Sequence, residues 1–280
     1  MAIETDRTKP DPRMWLRDFQ RRNLTQLRDC RFSSSDIGSE LTLLIYTFPQ
    51  DASDFDFIEF AIRHSWRTLG LLPTVIVADR HTNPLDSFAR ANRDVVELQI
   101  EPELRPGHIA SMSADCIQRL HTRFQTPYCL IVQNDGIPLQ NNIREFLGAW
   151  DYLGAPTVRD VPAQKLVDWF KVACLNGGFS LRSKLLCQAA ATRWPFFRHF
   201  IGESSHWAID DVFYTRTACL DPTYRFRFRF PTCKTARSFA VIDFDGELDV
   251  RTLATLPLGV HGASTISQYA AFLANKWGYE

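Results

Sequence analysis

Apolar residues fall in a repeating order along the chain. From Leu41 to Phe48 they run almost unbroken, the pattern of a strand buried on both faces. Phe55 to Leu69 follows with apolar positions three and four apart, which predicts a helix. Short apolar runs return at 74–78 and 95–100, helical spacing at 109–124, and another apolar run at 128–133. Strand, helix, strand, strand, helix, strand is the rhythm of a parallel sheet wound with helices. The second half is less regular. Residues 151–156, 177–181 and 224–230 read as strands, and 183–193 and 205–218 as helices. In 224–230 arginine and phenylalanine alternate strictly, so a strand would put three arginines on one face and Phe226, Phe228 and Phe230 on the other. Such arginines are either a solvated edge or a basic strip that guides an anionic acceptor.

Residues 1–37 read as an appended arm. A charged helix over 12–31 has Trp15, Leu16, Phe19, Leu24 and Leu27 on one side, and the Ser33-Ser34-Ser35-Asp36 cluster is a linker. Residues 38–280 form a single domain with a first half ending near residue 136. In open α/β sheets ligands bind beyond the carboxyl ends of the strands, so a site is expected just after Phe48, Ala78 and Val132.

At 45% hydrophobic and 23% charged, the 280-residue chain buries a real core. Its formal net charge is zero, which argues against a nucleic-acid partner. The seven cysteines are odd in number and contain no CxxC pair, so they are expected as reduced thiols. No apolar signal segment lies in 1–27, and no apolar run is long enough for a transmembrane segment. The expected location is the cytoplasm.

Four groups of residues could carry chemistry. Gln133-Asn134-Asp135-Gly136 closes the apolar run at Val132, where an acid could reach a divalent cation or only cap the strand exit. Asn176-Gly177-Gly178 precedes a strand. It is either an ordinary turn or a place where a ligand approaches the backbone. Asp210-Asp211 opens an apolar helical stretch, as acids favoured by the helix dipole or as a general base with its neighbour. His261, between Gly259 and Gly262, is either a loop histidine or a metal or diphosphate contact.

Their order carries more than any one of them. The stretch from Tyr128 to Gly262 holds five blocks: Gln133-Asn134-Asp135, Asp151-Tyr152-Leu153-Gly154-Ala155-Pro156, Asn176-Gly177-Gly178-Phe179-Ser180-Leu181-Arg182, Asp210-Asp211, and Gly259-Val260-His261-Gly262. In this it resembles a bacterial glycosyltransferase-like family of unknown function, over about half the chain and outside the first forty residues. The resemblance implies an α/β fold of the glycosyltransferase-A type, Rossmann-like, with a mixed, mainly parallel central sheet and flanking helices. The nucleotide half would end near residue 136, with an acceptor half after it. The reaction implied is transfer of a sugar from a nucleoside-diphosphate sugar, a UDP-sugar favoured, to a glycan or other hydroxyl acceptor, with inversion. A cation, Mn²⁺ or Mg²⁺, would sit on Asp135 and His261. Gln133 stands where the wider fold has a first acid, which weakens the metal site. By the same match Asp211 is the base, with Asp210 orienting it or bonding the acceptor. Gly177 and Gly178 would flank the donor sugar, with Asn176 as a polar contact and Gln133 and Asn134 alongside. Thr47 and Asp79, at the ends of the first two strands, are expected ribose and base contacts from fold position alone. The rival reading is a non-catalytic carbohydrate- or nucleotide-sugar-binding protein of the same fold.

Overall fold

The computed structural model describes residues 11–48, 52–106, 109–156, 175–201, 209–217, 220–243, 253 and 255–280. In chain order the elements are α1 (Pro12–Arg28), β1 (Leu41–Thr47), α2 (Ala52–Leu69), β2 (Thr74–Ala78), α3 (Asn83–Ala91) and β3 (Val96–Ile100). Next come α4 (Ile109–Gln118), α5 (Leu120–Arg123), β4 (Tyr128–Val132), β5 (Gly136–Pro138), β6 (Tyr152–Pro156) and β7 (Leu175–Ser183). The last are α6 (Lys184–Ile201), α7 (Asp210–Val212), α8 (Pro222–Arg227), α9 (Cys233–Phe239), β8 (Ala240–Ile242), β9 (Gly259–His261), α10 (Ala263–Gln268) and α11 (Ala270–Trp277).

The main sheet has six strands in the order β3-β2-β1-β4-β7-β6. The first four are parallel, while β7 runs antiparallel to both β4 and β6. The expected mixed, mainly parallel sheet with flanking helices is therefore the observed architecture. Every residue of β1 is buried because both faces are covered. Leu44 and Tyr46 join one core with Ile131, Trp194 and Phe213. Leu43 and Ile45 join the other with Trp66, Leu130 and Val132. A small sheet in the order β5-β9-β8 lies at the carboxyl end of β4, where Gly136 pairs with His261.

Helix α1 forms as the apolar spacing predicts, started by Asp11, whose carboxylate accepts from Arg13 N, and by Pro12 at its first turn. Leu16, Phe19, Leu24 and Leu27 are buried, and Leu16 and Phe19 share a core with Ile137 and Val260. The cysteines Cys30, Cys116, Cys129, Cys187 and Cys233 are free; Cys174 and Cys219 lie outside the described residues. Of the helix expected over 205–218, residues 205–208 and 218 also lie outside the described residues. The remainder is the single turn α7 followed by a π-helical turn, Phe213–Thr217. Among the described residues no helix is long and apolar enough to cross a membrane.

The stretch 224–230 corrects its expectation, because it is not a strand. Asp221 caps α8, accepting from Thr223 N at 2.8 Å and Tyr224 N at 3.4 Å, and Pro222 sits at the first helical position. That Asp-Pro start sets the backbone, and it overrides the two-residue alternation downstream. Phe226 consequently points to solvent at 84% exposure, while Phe228 and Phe230 stay buried at 5% and 7%. The test follows from this split. Phe228→Ala should cost roughly 3–5 kcal/mol in urea unfolding, and Phe226→Ser should cost under about 0.5 kcal/mol. A strand with both rings on its buried face would give equal losses.

Candidate active site

Strand β4 delivers Gln133, Asn134 and Asp135 to the carboxyl edge of the sheet, and this turn is pinned from two sides. Gln133 N donates to Gly178 O at 2.9 Å, and Gly262 N donates to Asp135 O at 2.8 Å. The pairing of β5 with β9 brings His261 alongside. Its Nε2 lies 3.0 Å from Gln133 Oε1 and 3.1 Å from Asp135 Oδ1. Gly178 makes the approach possible. A Cβ there would overlap the His261 ring and would lie 2.7 Å from Gln133 Oε1. The glycine is thus required by the packing of this trio.

Burial works to raise the Asp135 pKa, but the His261 ring and hydrogen bonds from it and from the local backbone outweigh that, and the carboxyl is held below its usual range. Both separations are ordinary hydrogen-bond lengths, so His261 Nε2 is shared between the two oxygens. A divalent cation here would find Asp135, His261 and the Gln133 amide oxygen as its protein donors and would need its other ligands from outside the protein. The donor set is thin. No group of three His, Cys, Asp or Glu side chains converges among the described residues. Nδ1 of His261 is buried without a hydrogen-bond partner among the described residues.

Strand β7 carries the opposite wall. Arg182 has no exposed surface, and its Nη2 sits 2.6 Å from Asp210 Oδ2. Its Cζ lies 5.0 Å from the Tyr152 ring centre and 4.8 Å from that of Tyr214. An arginine stays protonated in any protein setting, so this buried cation needs its partner. Ser113 Oγ donates to the other Asp210 oxygen at 3.2 Å. Asp210 is thereby committed to the protein, and Asp211 is the acid on the cavity side. Asp211 accepts from Gly177 N at 3.2 Å and from Val212 N at 2.7 Å. Burial and the adjacent Asp210 charge push its pKa up to about 6, against the pull of Arg182 and the two backbone donors.

Two cavities meet here. One of about 140 Å³ is lined by Asn176, Gly177, Arg182, Asp210 and Asp211. The other, about 280 Å³, is lined by Thr47, Phe48, Asp54, Ile58 and Asn134. Tyr46, Met112 and Gln133 border both, so the two form one elongated hollow along the ends of β1 and β4. Beneath it Tyr46 OH donates to the buried Asp115 at 2.6 Å, and Arg119 and Arg123 pair with the same carboxylate.

The fold gathers most of the residues expected from the sequence. Asp211, Asp210, Asn176, Gly177, Gly178, Gln133, Asn134 and Thr47 line the hollow, and Asp135 and His261 meet beside Gln133. Asp79 stands apart. It is buried at the end of β2, paired with Arg80 at 2.7 Å, and lines neither cavity. Sequence reasoning missed Arg182 as the partner of Asp210, although Arg182 ends the block that begins at Asn176. It also missed Tyr46, Tyr152 and Ser113, whose roles depend on contacts between distant segments. Asp151, in the same block as Tyr152, has a structural role: it accepts from Ser183 Oγ and from Arg229 N, both at 2.8 Å.

Residues 111–261 match the family described as "Protein of unknown function (DUF5672)". No curated protein matches the chain. Solved structures similar to it include the apo form of the glycosyltransferase GlyE of Streptococcus pneumoniae, 10% identical over 80% of this chain and 54% of that one, TM-score 0.48. Another is the mannosyltransferase Ktr4p of S. cerevisiae in complex with GDP, 10% identical over 83% and 79%, TM-score 0.44. A third is the mannosyltransferase PcManGT of Pyrobaculum calidifontis in complex with GDP-Man and Mn²⁺, 14% identical over 64% and 53%, TM-score 0.38. The chain spans about half the length of the GlyE and PcManGT chains.

The raised acid has a cost that can be measured. A carboxyl with a folded pKa of about 6, above its ordinary 3.8, favours the folded state fully only below 3.8 and loses that contribution as pH rises through 6. Asp211→Asn removes the penalty. It should therefore stabilise the protein by roughly 1–3 kcal/mol at pH 8 relative to its effect at pH 4, read by urea unfolding. A substitution effect that is the same at both pH values would show that Asp211 has no raised pKa.

Proposed function

The chain belongs to the DUF5672 family, and we propose that it is a glycosyltransferase of the glycosyltransferase-A type, moving a sugar from a nucleoside-diphosphate donor to a hydroxyl acceptor. The observation that carries this reading is the placement of Asp211. It is a partly buried carboxylate with a pKa near 6 on the cavity wall, and the Gln133-Asp135-His261 trio lies across Gly178 from it.

The donor would lie along the hollow, its nucleoside in the larger compartment by Thr47 and Phe48 and its sugar in the smaller one by Asn176 and Gly177. Asp135, His261 and Gln133 would hold Mn²⁺ or Mg²⁺, which when bound neutralises the charge that gathers on a departing diphosphate. Asn176 Oδ1 accepts from Gly178 N at 2.9 Å, which keeps the glycine turn in shape beside the sugar position. Asp211 takes the proton of the attacking acceptor hydroxyl. A base with a pKa near 6 is ionised at neutral pH and still basic enough to accept that proton in the transition state. Asp210, held by Arg182 and Ser113, keeps the neighbouring acid in position and raises its basicity. Attack from the Asp211 side, opposite the leaving diphosphate, inverts the anomeric centre.

A second reading, a nucleotide-sugar-binding protein without turnover, draws on Gln133, an amide where a second acid would strengthen the cation site. Kinetics with a transferred sugar separates the two. Asp211→Asn should lower kcat by roughly 10²–10⁴-fold while donor binding holds, and the wild-type rate should climb as pH passes through about 6. Asp135→Ala should weaken the Mn²⁺-dependent part of donor binding. Wild-type transfer by Asp211→Asn would remove the base assignment, and no transfer by the wild type to any hydroxyl acceptor would favour the binding protein.

A further inference from the structure

One wall of the smaller cavity is apolar. Helix α4 turns Ile109, Met112 and Cys116 to it, three residues on one helical face. Ser113 lies on the same face and donates to Asp210 at 3.2 Å. That hydrogen bond and the packing of α4 on α7 hold the face against the two acids. Ile209, two residues before Asp211, lines the same cavity. Ile109 is 57% exposed, and Met112 and Ile209 are half-buried. A single isoleucine at the surface needs no explanation. Here three accessible apolar side chains border one cavity together with the proposed base.

This wall is poor in hydrogen-bonding groups. Tyr46 OH is committed to Asp115, and Arg182 and Asp210 to each other. Gln133 and Asn176 both bond to Gly178, at the glycine turn where the donor sugar would lie. Asp211 is then the acid that meets an incoming hydroxyl, and Ile109, Met112 and Ile209 are the surface beside it. An acceptor with hydroxyls on every side would press some of them against that surface without partners, which is costly. An acceptor with an apolar group there would remove its own apolar surface and that of the three side chains from water, which is favourable.

We propose that the acceptor carries an apolar group, alkyl or aryl, next to the hydroxyl that receives the sugar, and that Ile109, Met112 and Ile209 form the subsite for that group. The proposal rests on the glycosyltransferase reading of the same cavity and deepens it by naming the acceptor class. The hydroxyl oxygen bonds to the anomeric carbon. The bond from that carbon to the diphosphate breaks, its electron pair leaves on the phosphate oxygen, and Asp211 takes the hydroxyl proton.

Three acceptors with one sugar ring and different tails test it: methyl, phenyl and octyl glucoside, the last below its micelle concentration. Each is offered to the full chain with UDP- and GDP-hexoses and Mn²⁺, and the glycoside product is measured. The wild type should use phenyl or octyl glucoside with a kcat/KM at least about tenfold above that for methyl glucoside. The better of the two separates aryl from alkyl chemistry. Ile109→Asn changes an exposed side chain. It should lower that preference roughly tenfold, through the acceptor KM, and Ile109→Leu should keep it. Equal use of the three acceptors, or a preference that Ile109→Asn leaves intact, overturns the apolar subsite while the transfer reading survives. Donor binding, seen as a rise in Tm, with no transfer to any of the three also overturns the subsite and leaves the donor site standing. A wild type that neither binds nor cleaves any of the nucleotide sugars overturns the transfer reading and the inference with it.

Discussion

The Arg182 guanidinium, buried against the rings of Tyr152 and Tyr214, is answered by one carboxylate, Asp210, at 2.6 Å. Removing one member of such a buried pair typically costs about 3–5 kcal/mol, because the other is left uncompensated. The pair ties β7 to the turn that carries Asp211. It also dictates the bare backbone beside it, since a Cβ on Gly177 would lie 2.9 Å from Arg182 Nη2. The negative partner in turn is one cause of the raised Asp211 pKa. Burial is the larger cause of that shift, and the ion pair adds the Asp210 charge beside the proposed base while fixing the strand next to it.

Across the hollow the design repeats with weaker charges. Asp135, His261 and Gln133 crowd together because Gly178 leaves room, and hydrogen bonds to β7 and from Gly262 hold the turn beneath them. An acid kept ionised on one wall and an acid pushed toward neutrality on the other are two carboxylates with their pKa values set apart by environment. In the proposed transfer, that separation would let one anchor charge while the other moves a proton. The raised acid is unfavourable to the folded state above pH 6, a stability loss of the kind found at sites shaped for chemistry.

The part of the fold that was legible in the sequence is the part buried on both faces. Strands β1, β2 and β4 are continuous apolar runs because helices cover both sides of the sheet, and their ends point to the site. The short strands β8 and β9 have only three residues each, too few to leave a period. In 224–230 a real alternation misled, because the deciding signal was the Asp221-Pro222 helix start ahead of it. The motif blocks marked where chemistry could sit, but their mutual support was hidden. Arg182 meets Asp210 and Tyr152 only through folding, and Gln20 reaches Asn134 across 114 positions of sequence. Asp79 shows the opposite case: a strand end alone did not place it on the hollow.

The central claim is that this hollow receives a nucleotide sugar. The most direct measurement is thermal unfolding of the wild-type protein against UDP-, GDP-, CMP- and dTDP-sugars, each with and without Mn²⁺. A ligand that binds only the folded state at a hundred times its Kd stabilises it by about 2.7 kcal/mol. A rise in Tm with one nucleotide family, larger with Mn²⁺, is the predicted result. An unchanged Tm with every nucleotide sugar at millimolar concentration would contradict the account.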